Sequence, residues 1–422
     1  MAKQNKPASA DRKAPCPIMR QCGGCEWLGL PYRKQLARKQ LAMSDLYRPL
    51  IERFGWRVDV DPVLGIGPSR ETGPVTVADA PLPAPRSFRH KAATPFAPGA
   101  CGEVRSGFFA RGTHDIVPCP ACAVEAPGAR ELLGDVARFA TELNIPAYDE
   151  DLRRGQLRYA VLRCGWRTKE AMLTLVTRTR EVPHLEELVE LVSQAHPKLV
   201  TIAQNVNPRV TNAILGGETR ILHGEPRMRD ELLDCTFEIS PVSFYQVNPQ
   251  QTEVLYLQAI EGMDLQDGTV VLDAYCGSGT IGIAAAAHAR NRRSHTPRGR
   301  GAQCGGGARR RAERTDQRPG GHGGIHRPRR DRVHERGRRR AHARGCGRYG
   351  SSAGGSTPEF IEAAAALAPR RIVYISCNPV THVRDLAVLG ENGYRVERLT
   401  PVDLFPHTSH TEMVATLTRA HI

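Results

Sequence analysis

Two residues 35 positions apart stand in the contexts with most chemical meaning: Cys377 in Ser376-Cys377-Asn378-Pro379, and Glu412 closing His407-Thr408-Ser409-His410-Thr411-Glu412. A thiolate at the first position is a nucleophile, and a carboxylate at the second is a base. The preceding run Arg371-Ile-Val-Tyr-Ile375 reads as a buried parallel strand. Cys377 therefore falls at the C-terminal end of a strand, where open α/β sheets place their chemistry. Upstream, Val270-Val-Leu-Asp273-Ala-Tyr275-Cys-Gly277-Ser-Gly279-Thr280 reads as a strand, a glycine-rich turn and a helix start. The glycines allow a tight passage and close approach of a ligand. The spacing is not that of a phosphate-binding P-loop, which argues against a nucleoside triphosphate. A nucleotide-like cofactor beside a cysteine nucleophile points to group transfer.

A second constellation lies near the N-terminus. Cys16-x5-Cys22-Gly-Gly-Cys25 puts three thiols in one short loop, and Cys119 or Cys122 offers a fourth. Such a set suits zinc or an iron–sulfur cluster, and spacing alone does not separate the two. Cys101, Cys164 and Cys235 read as ordinary buried thiols. His407 and His410 read as packing or polar-loop residues rather than metal ligands. Twelve cysteines with no apolar leader segment suggest a reducing cytoplasm. No run of about 18 apolar residues suggests a membrane span.

The elements that must position these residues divide the 422-residue chain in three. Residues 1–15 read as a disordered polar tail. Residues 16–240 read as an α+β region, with a basic amphipathic helix from Tyr32 to Leu41, a loop over 65–86, and alternating runs such as Ala171–Thr177 and Lys198–Ala203. Residues 241–422 read as an α/β domain, with a helical stretch from Gln251 to Ile260.

One segment does not fit. The net charge of +15 and isoelectric point near 9.5 resemble a nucleic-acid binder's footprint. Yet residues 290–350 hold 20 Arg and 4 acidic residues, a net of +16 that leaves −1 for the rest of the chain. They contain no Leu, Met, Phe or Trp, where a doubly wound sheet needs its second to fourth strands. A disordered basic insertion is one reading. A pair of compensating frameshifts is preferred. Read one base out of register, Tyr349–Gly354 permits Met-Asp-Pro-Pro-Arg, and Glu313–Arg318 permits Asn-Gly-Leu-Thr-Asn. As written, the segment is expected to supply no hydrophobic sheet.

Taken together, these strings resemble the RNA uracil-5-methyltransferase family, which uses S-adenosylmethionine. The resemblance covers residues 16–289 and 354–422. It rests on the Cys16/Cys22/Cys25 loop, Phe88-Arg-His-Lys91, Gly107-Phe-Phe-Ala-Arg-Gly112, Ser243-Phe-Tyr-Gln246-Val-Asn248, the Asp273–Gly279 turn, Ser376–Pro379 with Arg384-Asp385, and Phe405-Pro-His-Thr408 through Glu412. It implies a Rossmann-like class I methyltransferase domain preceded by a smaller α+β domain with a Cys-ligated metal cluster. It implies Cys377 as nucleophile and Glu412 as base. Gln246, Tyr275 and Thr280 would contact the cofactor, with Asp273, Gly277 and Gly279 forming its turn. Cys16, Cys22, Cys25 and Cys119 would ligate a [4Fe–4S] cluster, with zinc as the alternative, and the proline after Cys119 selects it over Cys122. Arg89, Lys91 and Arg111 are candidate phosphate contacts.

The implied reaction is methyl transfer to C5 of a uridine, on 23S ribosomal RNA by preference and transfer RNA as the alternative, by a monomer without membrane attachment. Thr280 departs from the family's common Asn, and His90 interrupts its Arg-Asn-Lys. The N-terminal RNA-binding barrel of some relatives is not expected, because Cys16 comes too early. An acidic residue ending the second strand and an Asp-Pro-Pro-Arg motif should both fall within 290–354, and both are missing there. A catalytically dead product that at most binds RNA or metal is therefore the competing reading. A cysteine hydrolase is weaker, since no histidine has a triad-like context.

Overall fold

The computed structural model describes residues 16–69, 71–79, 82–294, 345–350 and 355–420. The tail expected over 1–15 and most of the frameshift reading lie outside the described residues. None of the described helices is long and apolar enough to cross a membrane.

Helix α1 (Tyr32–Phe54) extends well past the predicted stretch, through Pro49, and ends on Gly55 in the left-handed conformation. The runs read as strands then build a mixed seven-stranded sheet. Its members are β1 (Lys91–Pro98), β2 (Val104–Phe109), β3 (Ile116–Pro118), β4 (Leu157–Cys164), β5 (Ala171–Thr177), β6 (Leu199–Val206) and β7 (Glu218–Gly224). Their order is β3-β2-β1-β4-β5-β6-β7, with only β5 and β6 parallel. Helices α2 (Ala129–Glu142) and α3 (Leu185–Ala195) bury Leu133, Val136, Leu188 and Val192 against Leu162, Leu173 and Leu175 of the sheet. A hairpin comes next, β8 (Met228–Leu232) and β9 (Cys235–Ile239). It packs under α4 (Pro249–Met263) rather than on the first sheet. Cys101 is exposed in the β1–β2 turn, not buried as expected, because Gly102 at φ 85° carries that turn out to solvent.

The second sheet has five strands: β10 (Val270–Ala274), β11 (Gly345–Gly350), β12 (Arg371–Ser376), β13 (Tyr394–Val402) and β14 (Glu412–Arg419). Their order is β10-β11-β12-β14-β13, parallel from β10 to β12, with β14 antiparallel to both its neighbours. Helix α5 (Thr280–Ser294) comes after the glycine turn, and α6 (Pro358–Ala366) and α7 (Pro379–Glu391) flank β12. The region expected to be the smaller thus carries the larger sheet among the described residues. Strand β11 comes from the segment expected to supply no hydrophobic sheet, and its sequence is Gly-Cys-Gly-Arg-Tyr-Gly. Its backbone pairs Leu272 with Gly347 on one side and Gly347 with Ile372 on the other.

Candidate functional site

The Ser-Cys-Asn-Pro string does two jobs at once. Asn378 caps α7, its side chain accepting hydrogen bonds from the backbone N–H groups of Val380 and Thr381, and Pro379 occupies the first turn. Strand β12 ends at Ser376, whose hydroxyl accepts from the Asn378 N–H at 3.2 Å. Cys377 is therefore pinned between strand end and helix start, with its thiol exposed. The last rung of the β12–β14 ladder pairs Ser376 with Met413. Continued one step past the ladder's end, this register brings Cys377 beside Glu412, and the Glu412 charge acts on the Cys377 thiol. The sequence placed them 35 residues apart, and the antiparallel return of β14 brings them together.

Their environments differ. Glu412 is only 5 % exposed. Burial pushes its carboxyl up to about 7, so it changes charge close to neutrality. Partial burial raises the Cys377 thiol as well, and the Glu412 charge adds to that. Beside them the Thr411 hydroxyl is buried without a protein hydrogen-bond partner, a polar atom able to meet a bound ligand. A carboxylate poised near neutrality beside an accessible thiol suits proton removal coupled to thiol addition.

The proposed cofactor residues gather at the end of β10. Tyr275 takes φ 58°, Gly277 φ 55° and Gly279 φ 73°, three left-handed residues in one short turn. The Tyr275 ring lies 4.9 Å from that of Phe360. Thr280 opens α5, and its hydroxyl lies 2.8 Å from that of Tyr256 on α4. Ser278 donates to the Phe244 carbonyl at 3.3 Å, tying the turn to the loop that carries Gln246. Asp273 lies against the first turn of α5, where a Cβ at Gly282 would meet its Oδ2 at 3.1 Å. Five of the six thus lie on β10 or in the turn and helix start that come after it, and Ser278 ties that turn to the loop carrying the sixth, Gln246. Phe244, whose carbonyl meets the turn through Ser278, is an exposed apolar side chain, as is Tyr275 within the turn. Phe244 was quoted in the sequence only as part of the Ser243–Asn248 string, although an aromatic in a polar loop is the signal for a base-stacking platform.

The cysteines also converge. Cys16, Cys22, Cys25, Cys119 and Cys122 line one apolar cavity with Arg89 and Phe108, about 460 Å³ counted out to open solvent. Burial, with the neighbouring thiols Cys122, Cys22 and Cys16 acting in the same direction, pushes Cys25 up to about 12. Mutual repulsion of this kind is what a bound cation reverses. The donor set therefore fits a thiolate-bound metal. The coordination geometry is not formed, because no three ligating side chains among the described residues are close enough to hold one ion. Cys119 and Cys122 share a hydrogen bond that lowers Cys122 and raises Cys119, so both belong to the cavity. Arg111 donates to the carbonyls of Cys22 and Cys25, which makes it a brace of this loop rather than a free phosphate contact. Lys91 and Arg163 stand opposite each other on β1 and β4, and burial together with the nearby Arg163 and Arg89 charges brings Lys91 down to about 8.

Residues outside the motifs hold the site. Asp385 accepts from the Tyr374 hydroxyl at 2.6 Å and from the Ser356 N–H at 3.0 Å, so the Arg384-Asp385 pair anchors the chain where ordinary patterning resumes. His407 is fully buried, as its reading as a packing residue anticipates.

Known proteins are similar to this chain. The family model described as tRNA (Uracil-5-)-methyltransferase matches residues 359–420. An uncharacterized RNA methyltransferase of Halalkalibacterium halodurans is 36% identical over 424 residues, covering 97% of this chain and 84% of the relative. One from Staphylococcus aureus is 33% identical over 424 residues, covering 95% and 83%. Among solved structures, the Pyrococcus abyssi tRNA (uracil-54, C5)-methyltransferase in complex with S-adenosyl-L-homocysteine aligns with a TM-score of 0.64 at 22% identity, covering 95% of this chain and 86% of that one.

Proposed function

The chain belongs to the RNA uracil-5-methyltransferase family, and from that membership we propose that it methylates C5 of a uridine in 23S ribosomal RNA through a covalent adduct on Cys377. The register that brings Cys377 beside Glu412 carries this reading. C5 of uracil is a poor nucleophile. Addition of the Cys377 thiolate at C6 breaks the ring's conjugation and gives C5 enolate character; S-adenosylmethionine, when bound, would supply the methyl for C5 and leave as S-adenosylhomocysteine. Glu412 removes the C5 proton, and elimination frees the thiol. A uridine in folded RNA must leave its stack to reach the thiol, and Phe244 offers a surface for it. Gln246, Tyr275, Thr280, Asp273, Gly277 and Gly279 are proposed to hold S-adenosylmethionine. Incubating the protein with labelled cofactor and separate ribosomal and transfer RNA fractions, then identifying 5-methyluridine, tests substrate and reaction together.

Transfer RNA is the second reading, favoured by the substrate in the name of the Pyrococcus abyssi relative. Cys16, Cys22, Cys25 and Cys119 are proposed to hold a [4Fe–4S] cluster, with zinc as the alternative; bound there, it would brace the loop and carry no step of the transfer. Iron, sulfide and zinc analysis of the purified protein separates these.

The segment 290–354 is proposed to be read out of frame. The supporting observation is the outer edge of β10, which pairs with β11 alone among the described strands and leaves Val270 57% and Leu272 50% exposed. Resequencing codons 285–360 tests it. A restored frame with apolar strands and Asp-Pro-Pro-Arg gives a working methyltransferase. If the written frame stands, the protein is proposed to bind no S-adenosylmethionine.

A further inference from the structure

Helix α1 turns an unusual stripe inward. Tyr32, Gln35 and Lys39 share one face and are 1%, 0% and 1% exposed. All three reach the loop between β13 and β14, residues 403–411, which delivers Glu412. The Tyr32 hydroxyl donates to Asp403 Oδ2 at 2.8 Å. Gln35 Nε2 donates to the Trp27 and Leu30 carbonyls and lies 3.1 Å from His407 Nδ1, while its Oε1 accepts from the His407 N–H at 2.9 Å. His407 Nε2 faces the Pro85 carbonyl at 2.8 Å, so that nitrogen carries the proton and Nδ1 accepts. Lys39 does most. Its ammonium donates to Asp403 Oδ1 at 2.6 Å, to the Phe405 carbonyl at 3.2 Å and to the His410 carbonyl at 2.5 Å.

An ammonium has three donors, and all three are used. The partners lie on opposite arms of the loop: Asp403 and Phe405 where the chain leaves β13, His410 two residues before Glu412. A buried charge is a costly way to fill space, since an apolar side chain of similar volume packs as well. What an apolar side chain cannot do is hold two carbonyls on different arms together.

We propose that Lys39 is a positioning residue for the reaction: its buried ammonium clamps the two arms of the 403–411 loop and thereby fixes the Glu412 carboxylate beside the Cys377 thiol. The proposal rests on the reading of Cys377 and Glu412 as the reacting pair. It gives the N-terminal helix, remote in sequence, a direct hold on the base. The same loop meets the cysteine-rich segment, because the Glu26 and Trp27 N–H groups both donate to the His407 carbonyl at 2.9 Å.

The test needs no methylation. The full-length chain is alkylated with iodoacetamide across pH, and modification of Cys377 is tracked by peptide mass spectrometry. The Glu412 carboxyl is raised by burial alone, and Cys377 is the titratable group that feels its charge; the Lys39–Asp403 pair acts on Glu412 only through the backbone of the loop. In the unsubstituted protein the Cys377 rate carries a lower inflexion from Glu412, which Glu412→Gln removes. Lys39→Met alone leaves Asp403 as an uncompensated buried charge and can unfold the chain. The double variant Lys39→Met with Asp403→Asn avoids this, and its folding is checked by cooperative thermal unfolding. The clamp predicts that the lower inflexion of the folded double variant falls by about one pH unit or more, toward a hydrated carboxylate. An unmoved inflexion in that variant overturns the proposal while leaving the reacting pair intact. If Glu412→Gln leaves the profile unchanged, the pair itself is wrong and the clamp falls with it.

Discussion

The two sides of the five-stranded sheet are built from similar residues and end in different states. On the β12–β14–β13 side, Ile372, Val373, Ala415 and Leu417 are 0% exposed. Helices α1 and α7 cover one face, through Tyr47, Leu386 and Leu389, and α4 covers the other. On the β10 side, a run of Val-Val-Leu just as apolar leaves Val270 and Leu272 half open. The thiol and the base stand on the closed side, and the cofactor turn stands on the open one. The difference originates in the chain downstream of each strand. Beyond β12 the chain returns in β13 and β14, whereas beyond α5 the sequence is rich in arginine and glycine and holds no Leu, Met, Phe or Trp up to residue 350.

The largest expected effect is on the closed side. In a frame-restored protein, Cys377→Ala reduces 5-methyluridine formation to background, and retained turnover would break the mechanism. Next is Glu412→Gln, expected to lower kcat by about 10²- to 10⁴-fold. The Glu412 carboxyl titrates near 7, so kcat is expected to rise with pH through that value as the base ionises. The same shift has a stability cost of opposite sense. A carboxyl raised on folding binds its proton more tightly in the native state, so stability falls as pH rises from about 4.5 to about 7. The full cost is about 3 kcal/mol. Glu412→Gln is thus predicted to be more stable than the unsubstituted protein at pH 8 and equal to it below pH 4.5. Thermal unfolding at the two pH values checks this, and equal shifts at both would contradict it.

The contrast between the two sides can be read directly in stability. Ile372→Ala is expected to cost about 2–5 kcal/mol, as for a fully buried residue. Leu272→Ala is expected to cost about 0.5 kcal/mol or less in the chain as written. In a frame-restored chain the Leu272 cost should rise toward the Ile372 value. Denaturant unfolding of the four variants measures both, and a large Leu272 cost in the written chain would show that its edge is already covered. The smallest expected effect is at the cysteine cavity: Cys25→Ser lowers bound iron or zinc, while thermal unfolding of the seven-stranded sheet hardly moves.

Much of the site was legible because its motifs are also structural punctuation. The apolar run Arg371–Ile375 is a buried strand that stops at Ser376, so the position of Cys377 could be read from where the run ends. The turn at Gly277 and Gly279 was legible for the same reason. The closeness of Cys377 and Glu412 was not, because it depends on β14 inserting between β12 and β13, a choice of strand order that local patterning does not encode. Lys39 was also hidden. In the sequence it is one of several cations in an amphipathic stretch, and only the packing of α1 against the 403–411 loop turns it inward. The packing of β8 and β9 under α4 was similarly out of reach, since an alternating strand pattern does not name the core it faces.

The reacting pair is tested most directly with RNA in which uracil carries fluorine at C5. Without a C5 proton for Glu412 to remove, elimination cannot occur after methyl transfer, and the adduct accumulates. The frame-restored protein is predicted to give a stable protein–RNA complex whose crosslinked peptide contains Cys377, and Cys377→Ala is predicted to give none. Formation of 5-methyluridine from ordinary RNA without any such complex from the fluorinated RNA would contradict the account.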